Sequence, residues 1–142
     1  MARLHPDTPI EQVPFVYLDT ETTGIDPRLG ERMCELAMLK VVNGQIVDTW
    51  ESLLNPGRKI SPGASEINNI TNEMVQDKPH FKEVIKPVRD FLEGTCIVMH
   101  NAPFDLGFLS VQLSVLCQPE LECPVLDSLF LARTYYRFPT GN

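Results

Sequence analysis

The stretch Val13-Pro-Phe-Val-Tyr-Leu-Asp-Thr-Glu-Thr-Thr-Gly24 decides how this chain is read. Residues Val13 to Leu18 are apolar and β-rich, the composition of a buried strand. Thr22-Thr23-Gly24, reinforced by Asp26-Pro27, ends the strand in a turn. Asp19 and Glu21 therefore stand at a strand end, two residues apart. A strand repeats every two residues, so both side chains point to one face. Two carboxylates that close repel each other unless protons or cations intervene. Hard oxygen ligands on a rigid strand end suit Mg²⁺ or Mn²⁺. Taken alone, the pair reads equally well as a polar strand end carrying two unrelated acids.

The elements on either side give the architecture. Cys34 to Val42 forms a second strand, Asn43-Gly44 is a hairpin turn, and Gln45 to Leu54 returns as a third strand. The chain breaks at Asn55-Pro56-Gly57, and Ser61 to Asn72 reads as a short helix and loop. Phe81 to Leu92 has apolar residues at helical spacing and a stop at Gly94, with Pro87 as the place for a kink or break. Thr95 to Met99 is a fourth strand and Ala102 to Cys117 a second long helix. Val125-Leu126 is a short extended piece, followed by a helix over Ser128 to Tyr136 that Asp127 caps. The fold class is α/β: a three-strand meander, joined by a parallel strand entering through a helical crossover, makes a mixed sheet flanked by helices. Residues 1–12 read as an N-terminal tail and 13–142 as one domain.

Composition narrows the function classes. A chain of 142 residues buries a real core, and 43% hydrophobic with 22% charged residues is ordinary for a globular protein. No apolar run reaches the roughly 20 residues of a membrane helix, and the first 15 residues lack the form of a secretory signal. A cytoplasmic location without membrane partners is the expectation. Cys34, Cys96, Cys117 and Cys123 have no CxxC spacing and read as reduced, mostly buried small hydrophobes rather than a zinc site. The net charge of −7 argues against broad binding of nucleic acid through a basic surface. It leaves room for an enzyme on nucleic acid, because carboxylates loaded with metal attract phosphate.

A second acidic setting follows the fourth strand: His100-Asn-Ala-Pro-Phe-Asp105. Asp105 falls in the first turn of the next helix, where the helix dipole favours an anion. By itself it could serve only that dipole.

Phe15 to Gly24 and Val98 to Asp105 resemble the first two motifs of the DEDD exonucleases, the group around the proofreading epsilon subunit of bacterial replicative polymerase. Ile70-Thr-Asn-Glu-Met-Val75 and Leu126 to Arg133 are also similar to that family, and the likeness runs from about Val13 to the last residue. The resemblance implies a ribonuclease-H-like fold and removal of nucleotides from a single-stranded or frayed DNA 3′ end with two Mg²⁺ or Mn²⁺ ions. It makes Asp19, Glu21 and Asp105 metal ligands. It places Thr20, Thr22 and Thr23 around the terminal nucleotide, partly through backbone groups. A polymerase or helicase subunit is the expected partner.

The chain departs from the family in two places. The family's third motif, a histidine acting as general base with a carboxylate about five residues later, lies beyond a segment like Arg133 to Asn142, and no histidine follows His100. Asp127 reads as a helix cap rather than the fourth ligand, and His100 as support for the strand-to-helix turn. The expectation is a C-terminally truncated domain, a fragment of a longer enzyme or a degenerate relative. Its chemical step would be weak, since general base catalysis is typically worth about 10²–10⁴-fold. Asn68 and Asn69 stand where the family often has His-Gly. Asn68 either donates a hydrogen bond to substrate there or marks a changed affinity. A non-catalytic nucleic-acid or polymerase binding module and an RNA-trimming exonuclease are the alternative readings.

Overall fold

The computed structural model describes residues 3–136. Its centre is β1 (Phe15–Thr22), in which Val16, Leu18, Thr20 and Thr22 are buried while Tyr17 and Asp19 are exposed. The strand runs four residues past Leu18, because β2 (Met33–Val42) pairs with it antiparallel as far as Thr22 opposite Met33. The acidic stretch is therefore strand, and the turn begins only at Thr23. β2 and β3 (Gln45–Leu53) form the hairpin across Asn43-Gly44. Both turn residues have positive φ, 49° and 74°, the backbone that a tight hairpin favours and that Asn and Gly tolerate.

β4 (Cys96–Met99) pairs parallel with β1, and β5 (Val125–Asp127) pairs parallel with β4. The sheet thus has five strands in the order β3-β2-β1-β4-β5, one more parallel strand than the sequence suggested. Five helices accompany it among the described residues: α1 (Pro62–Asn68), α2 (Asn72–Val75), α3 (Phe81–Leu92), α4 (Ala102–Val115) and α5 (Ser128–Tyr135). Pro87 does not end α3, which continues to Leu92. It lies on the exposed side, where water can satisfy the backbone carbonyl that loses its partner.

One face of the sheet carries the core. Val16 and Leu18, Leu36 and Met38, Ile97 and Met99 pack with Val88, Phe91 and Leu92 of α3 and with Phe108, Leu109 and Leu113 of α4. The apolar side chains of α3 and α4 thus clamp the helices to the strands that carry the acids. A smaller cluster of Cys34, Ile60, Ile70 and Val75 fastens the α1–α2 segment. Cys34 and Cys96 are buried as expected, but Cys117 is exposed, beyond the last turn of α4 in a left-handed conformation. No helix among the described residues is long and apolar enough to cross a membrane.

Candidate metal and nucleic-acid site

The alternation of β1 sorts its four polar residues. Asp19 and Glu21 project to the face opposite the core, while Thr20 and Thr22 turn inward. The third acid arrives from α4. The chain leaves β4 through Asn101, whose φ of 65° turns it sharply into the helix. Asn101 N–H donates to Asp127 Oδ1 at 3.0 Å, and His100 Nδ1 lies 3.1 Å from Ser128 Oγ. Asp127 also accepts from the N–H groups of Leu129 and Phe130, so it caps α5, as its sequence position implied. These bonds fix the β4–α4 turn against the start of α5.

Asp105 then falls in the first turn of α4 and is only 3% exposed. The Thr20 hydroxyl donates to its Oδ1, which connects the inward side of β1 to the helix. Burial pushes the Asp105 carboxyl above its ordinary range, the Thr20 hydrogen bond opposes this, and the charge of Asp19 adds to it. Glu21 is also raised, by burial first and then by Asp19, Glu35 and Asp105. The structure thus brings all three sequence-predicted acids within electrostatic reach of one another.

It adds a neighbour that the sequence did not single out. Glu35 of β2 stands directly opposite Glu21, and like charges so placed are destabilising. Its carboxyl is raised by burial, by Glu51 on β3 and by Asp19. None of Asp19, Glu21, Glu35 and Glu51 makes an ion pair among the described residues. The signal for Glu35 lay in the register of β1 on β2, which a strand pattern alone does not supply.

The donor chemistry of this set fits a hard divalent cation: carboxylates on rigid elements, with mutual repulsion for a cation to offset. The acids are not fully convergent as they stand. Among the described residues no three of His, Cys, Asp and Glu are gathered closely enough to hold an ion. The residues of this set that could hold such an ion are Asp19, Glu21 and Asp105.

Beside Glu21 opens a cleft, with Thr20, Thr22, Thr23 and Gly24 on one wall and Ser61, Gly63, Ile67 and Asn68 of the α1 segment on the other. The threonines do line a pocket, but their hydroxyl protons are spent internally. Thr22 donates to Gly24 O at 2.6 Å and Thr23 to Glu31, as Thr20 does to Asp105. Asn68 is engaged as well: its amide nitrogen donates to Thr22 O at 3.2 Å and its oxygen accepts from Ile70 N–H at 3.0 Å. The same nitrogen also donates to Cys34 Sγ at 3.9 Å, so Asn68 braces α1 against the end of β1 with its donors engaged inside the protein. On the face of the sheet that bears Asp19 an open groove runs past Asp19, Trp50, Glu51 and His100.

Three comparisons bear on this arrangement. Residues 16–141 match the model of the exonuclease family. The PolC-type DNA polymerase III of Thermotoga petrophila is 41% identical over 128 residues, which cover 90% of this chain and 9% of that one. The DNA polymerase III epsilon subunit of Treponema pallidum is 35% identical over 126 residues, covering 89% of this chain and 58% of that one. The chain thus spans only part of the length of these relatives. Among solved structures, exonuclease X in complex with 5′ overhanging duplex DNA superposes with a TM-score of 0.68 at 32% identity, over 86% of this chain and 64% of that one. The match of 16–141 includes residues 137–141, which lie outside those the structure describes.

Proposed function

The chain belongs to the exonuclease family, and on that premise we propose that it removes nucleotides hydrolytically from DNA 3′ ends, using Mg²⁺ or Mn²⁺ held by Asp19, Glu21 and Asp105. We place this activity in proofreading or repair in the cytoplasm, alongside a polymerase or helicase, with residues 13–142 as the nuclease unit.

The observation that carries the proposal is the delivery of a buried Asp105, fastened by Thr20, to the strand end that bears Asp19 and Glu21. Structural packing alone has no use for this grouping, in which Glu21 is raised by burial and by the charges of Asp19, Glu35 and Asp105, and Asp105 by burial and the charge of Asp19. Bound there, divalent ions would activate a water and stabilise the departing 3′ oxygen. The chain's own residues set the stage for that chemistry. Thr20 orients the Asp105 carboxyl through its hydroxyl. The β1–β2 ladder fixes the spacing of Asp19 and Glu21. The cleft beside Glu21, walled by the backbone of Thr22 to Gly24 and by α1, would seat the last nucleotide.

The test is a single-stranded DNA oligonucleotide labelled at its 3′ end, incubated with Mn²⁺, together with calorimetric titration of Mn²⁺. The expected result is slow release of labelled mononucleotide and Mn²⁺ binding, both lost in Asp19→Ala and Glu21→Ala. Mn²⁺ binding that neither substitution changes would refute the metal assignment and favour a non-catalytic binding module.

A further inference from the structure

The two walls of the cleft are joined by one ion pair. Glu31 follows the turn that carries Thr23 and Gly24, and Arg58 lies in the segment that leads into α1. Arg58 Nη2 stands 3.6 Å from Glu31 Oε1, and Arg58 Nη1 donates to Leu29 O at 3.3 Å. On its other side Glu31 accepts the hydroxyl of Thr23, which is 1% exposed and also accepts from Arg32 N–H at 3.0 Å. The chain of contacts therefore runs from the floor of the cleft, through Glu31, to the segment that bears the opposite wall.

Two glycines make room for it. A Cβ on Gly24 would fall 2.5 Å from Glu31 Cδ, and one on Gly30 would fall 2.7 Å from Arg58 Nη1. Both partners lie against backbone that carries no side chain, so a side chain at either glycine would displace the pair. As a source of stability such a partly exposed pair contributes little. Its location gives it a different use.

We propose that Glu31 and Arg58 form a clasp that fixes the width of the cleft between the Thr23-Gly24 turn and α1, and that both are positioning residues for the terminal nucleotide. This rests on the exonuclease function proposed for the cleft. Neither side chain needs to touch the reacting atoms. The clasp acts on how well the nucleotide is seated, and therefore on binding and KM rather than on the chemical step.

The experiment compares the wild-type chain with Arg58→Ala, Glu31→Gln, the double variant and Arg58→Lys. Affinity for a 3′-labelled DNA single strand, KM, kcat and Tm are measured for each. Each single substitution is expected to raise KM and Kd about tenfold, with kcat within about twofold and Tm nearly unchanged. The double variant should be no worse than either single one, since both break the same link, and Arg58→Lys should recover most of the affinity. An unchanged KM in Arg58→Ala, multiplying effects in the double variant, or a fall in Tm that accounts for the lost affinity would overturn the clasp. If the wild-type chain itself neither binds nor cuts the strand, the exonuclease function falls and the clasp with it. That outcome is distinct from a competent wild type with an equally competent Arg58→Ala.

Discussion

Replacing Gln112 by Met tests how α4, and with it Asp105, is held to the sheet. Gln112 lies two turns beyond Asp105 on α4 and is 7% exposed. Its Oε1 accepts the N–H of Met33 at 2.9 Å, and Met33, the first residue of β2, is completely buried. The β1–β2 register shifts between Glu21 and Thr22, next to the Thr22–Met33 pair, so this N–H takes a side-chain acceptor. Methionine matches the length and much of the volume of glutamine but leaves the Met33 N–H without a partner in a place closed to water. An unsatisfied buried donor costs about 1–3 kcal/mol. A domain of this size loses about 2–4 °C in Tm per kcal/mol, so the expected drop is about 2–12 °C. In urea the midpoint should fall with an unchanged slope, because the surface exposed on unfolding is the same. Midpoint and Tm equal to wild type would refute the claim that this bond helps to hold the helix to β2.

Asp105→Asn should flatten the pH dependence of stability in metal-free buffer. The folded carboxyl is raised, chiefly by burial, so between the ordinary value of about 3.9 and the folded value the unfolded chain has already lost the proton that the folded chain keeps. Stability is therefore fully present in acid and declines as pH rises through the folded value. Glu21 and Glu35 act with the same sign, so the variant removes part of the slope. Urea midpoints with EDTA across the acid range check this, and identical slopes in both proteins would count against it. At cysteine, burial and the nearby charges of Glu21 and Glu35 push the Cys34 thiol up to about 12, whereas Cys117 is exposed. Iodoacetamide at mildly alkaline pH should label Cys117 first and leave Cys34 unmodified in the folded protein, as mapped by peptide mass spectrometry. Prompt labelling of Cys34 would contradict its burial.

Much of the fold was legible because local patterns and tertiary demands agree. The Asn43-Gly44 turn specifies its hairpin by backbone preference alone, and Phe81 to Leu92 writes its buried face in helical spacing. The pair Asp19 and Glu21 could be assigned to one face by alternation. What the pattern left open was the length of β1. Threonines and acids suit a turn as well as a strand, and only the partner β2 settles the matter. The roles of the polar groups in the cleft were hidden for a similar reason. Whether Thr23 faces a ligand or Glu31, and whether Asn68 donates outward or to Thr22 O, depends on neighbours far away in the chain. Glu35 and Arg58 drew no notice because nothing in their own surroundings distinguishes them from surface charge. Their significance comes from register and loop path.

The alternation along β1 also dictates which errors this protein could survive. Acids and threonines are interleaved on a single strand, so the site is written in the parity of residue numbers: 19 and 21 odd, 20 and 22 even. A substitution changes one letter of that code, but a one-residue deletion between Phe15 and Leu18 inverts it for every position downstream. Asp19 and Glu21 would be driven toward the hydrophobic core and Thr20 would swing away from Asp105. Beyond Thr23 the parity no longer applies, since residues 24–31 belong to no strand and are held instead by contacts such as those of Thr23 with Glu31 and Arg32. Length variation between relatives should therefore be absent from β1.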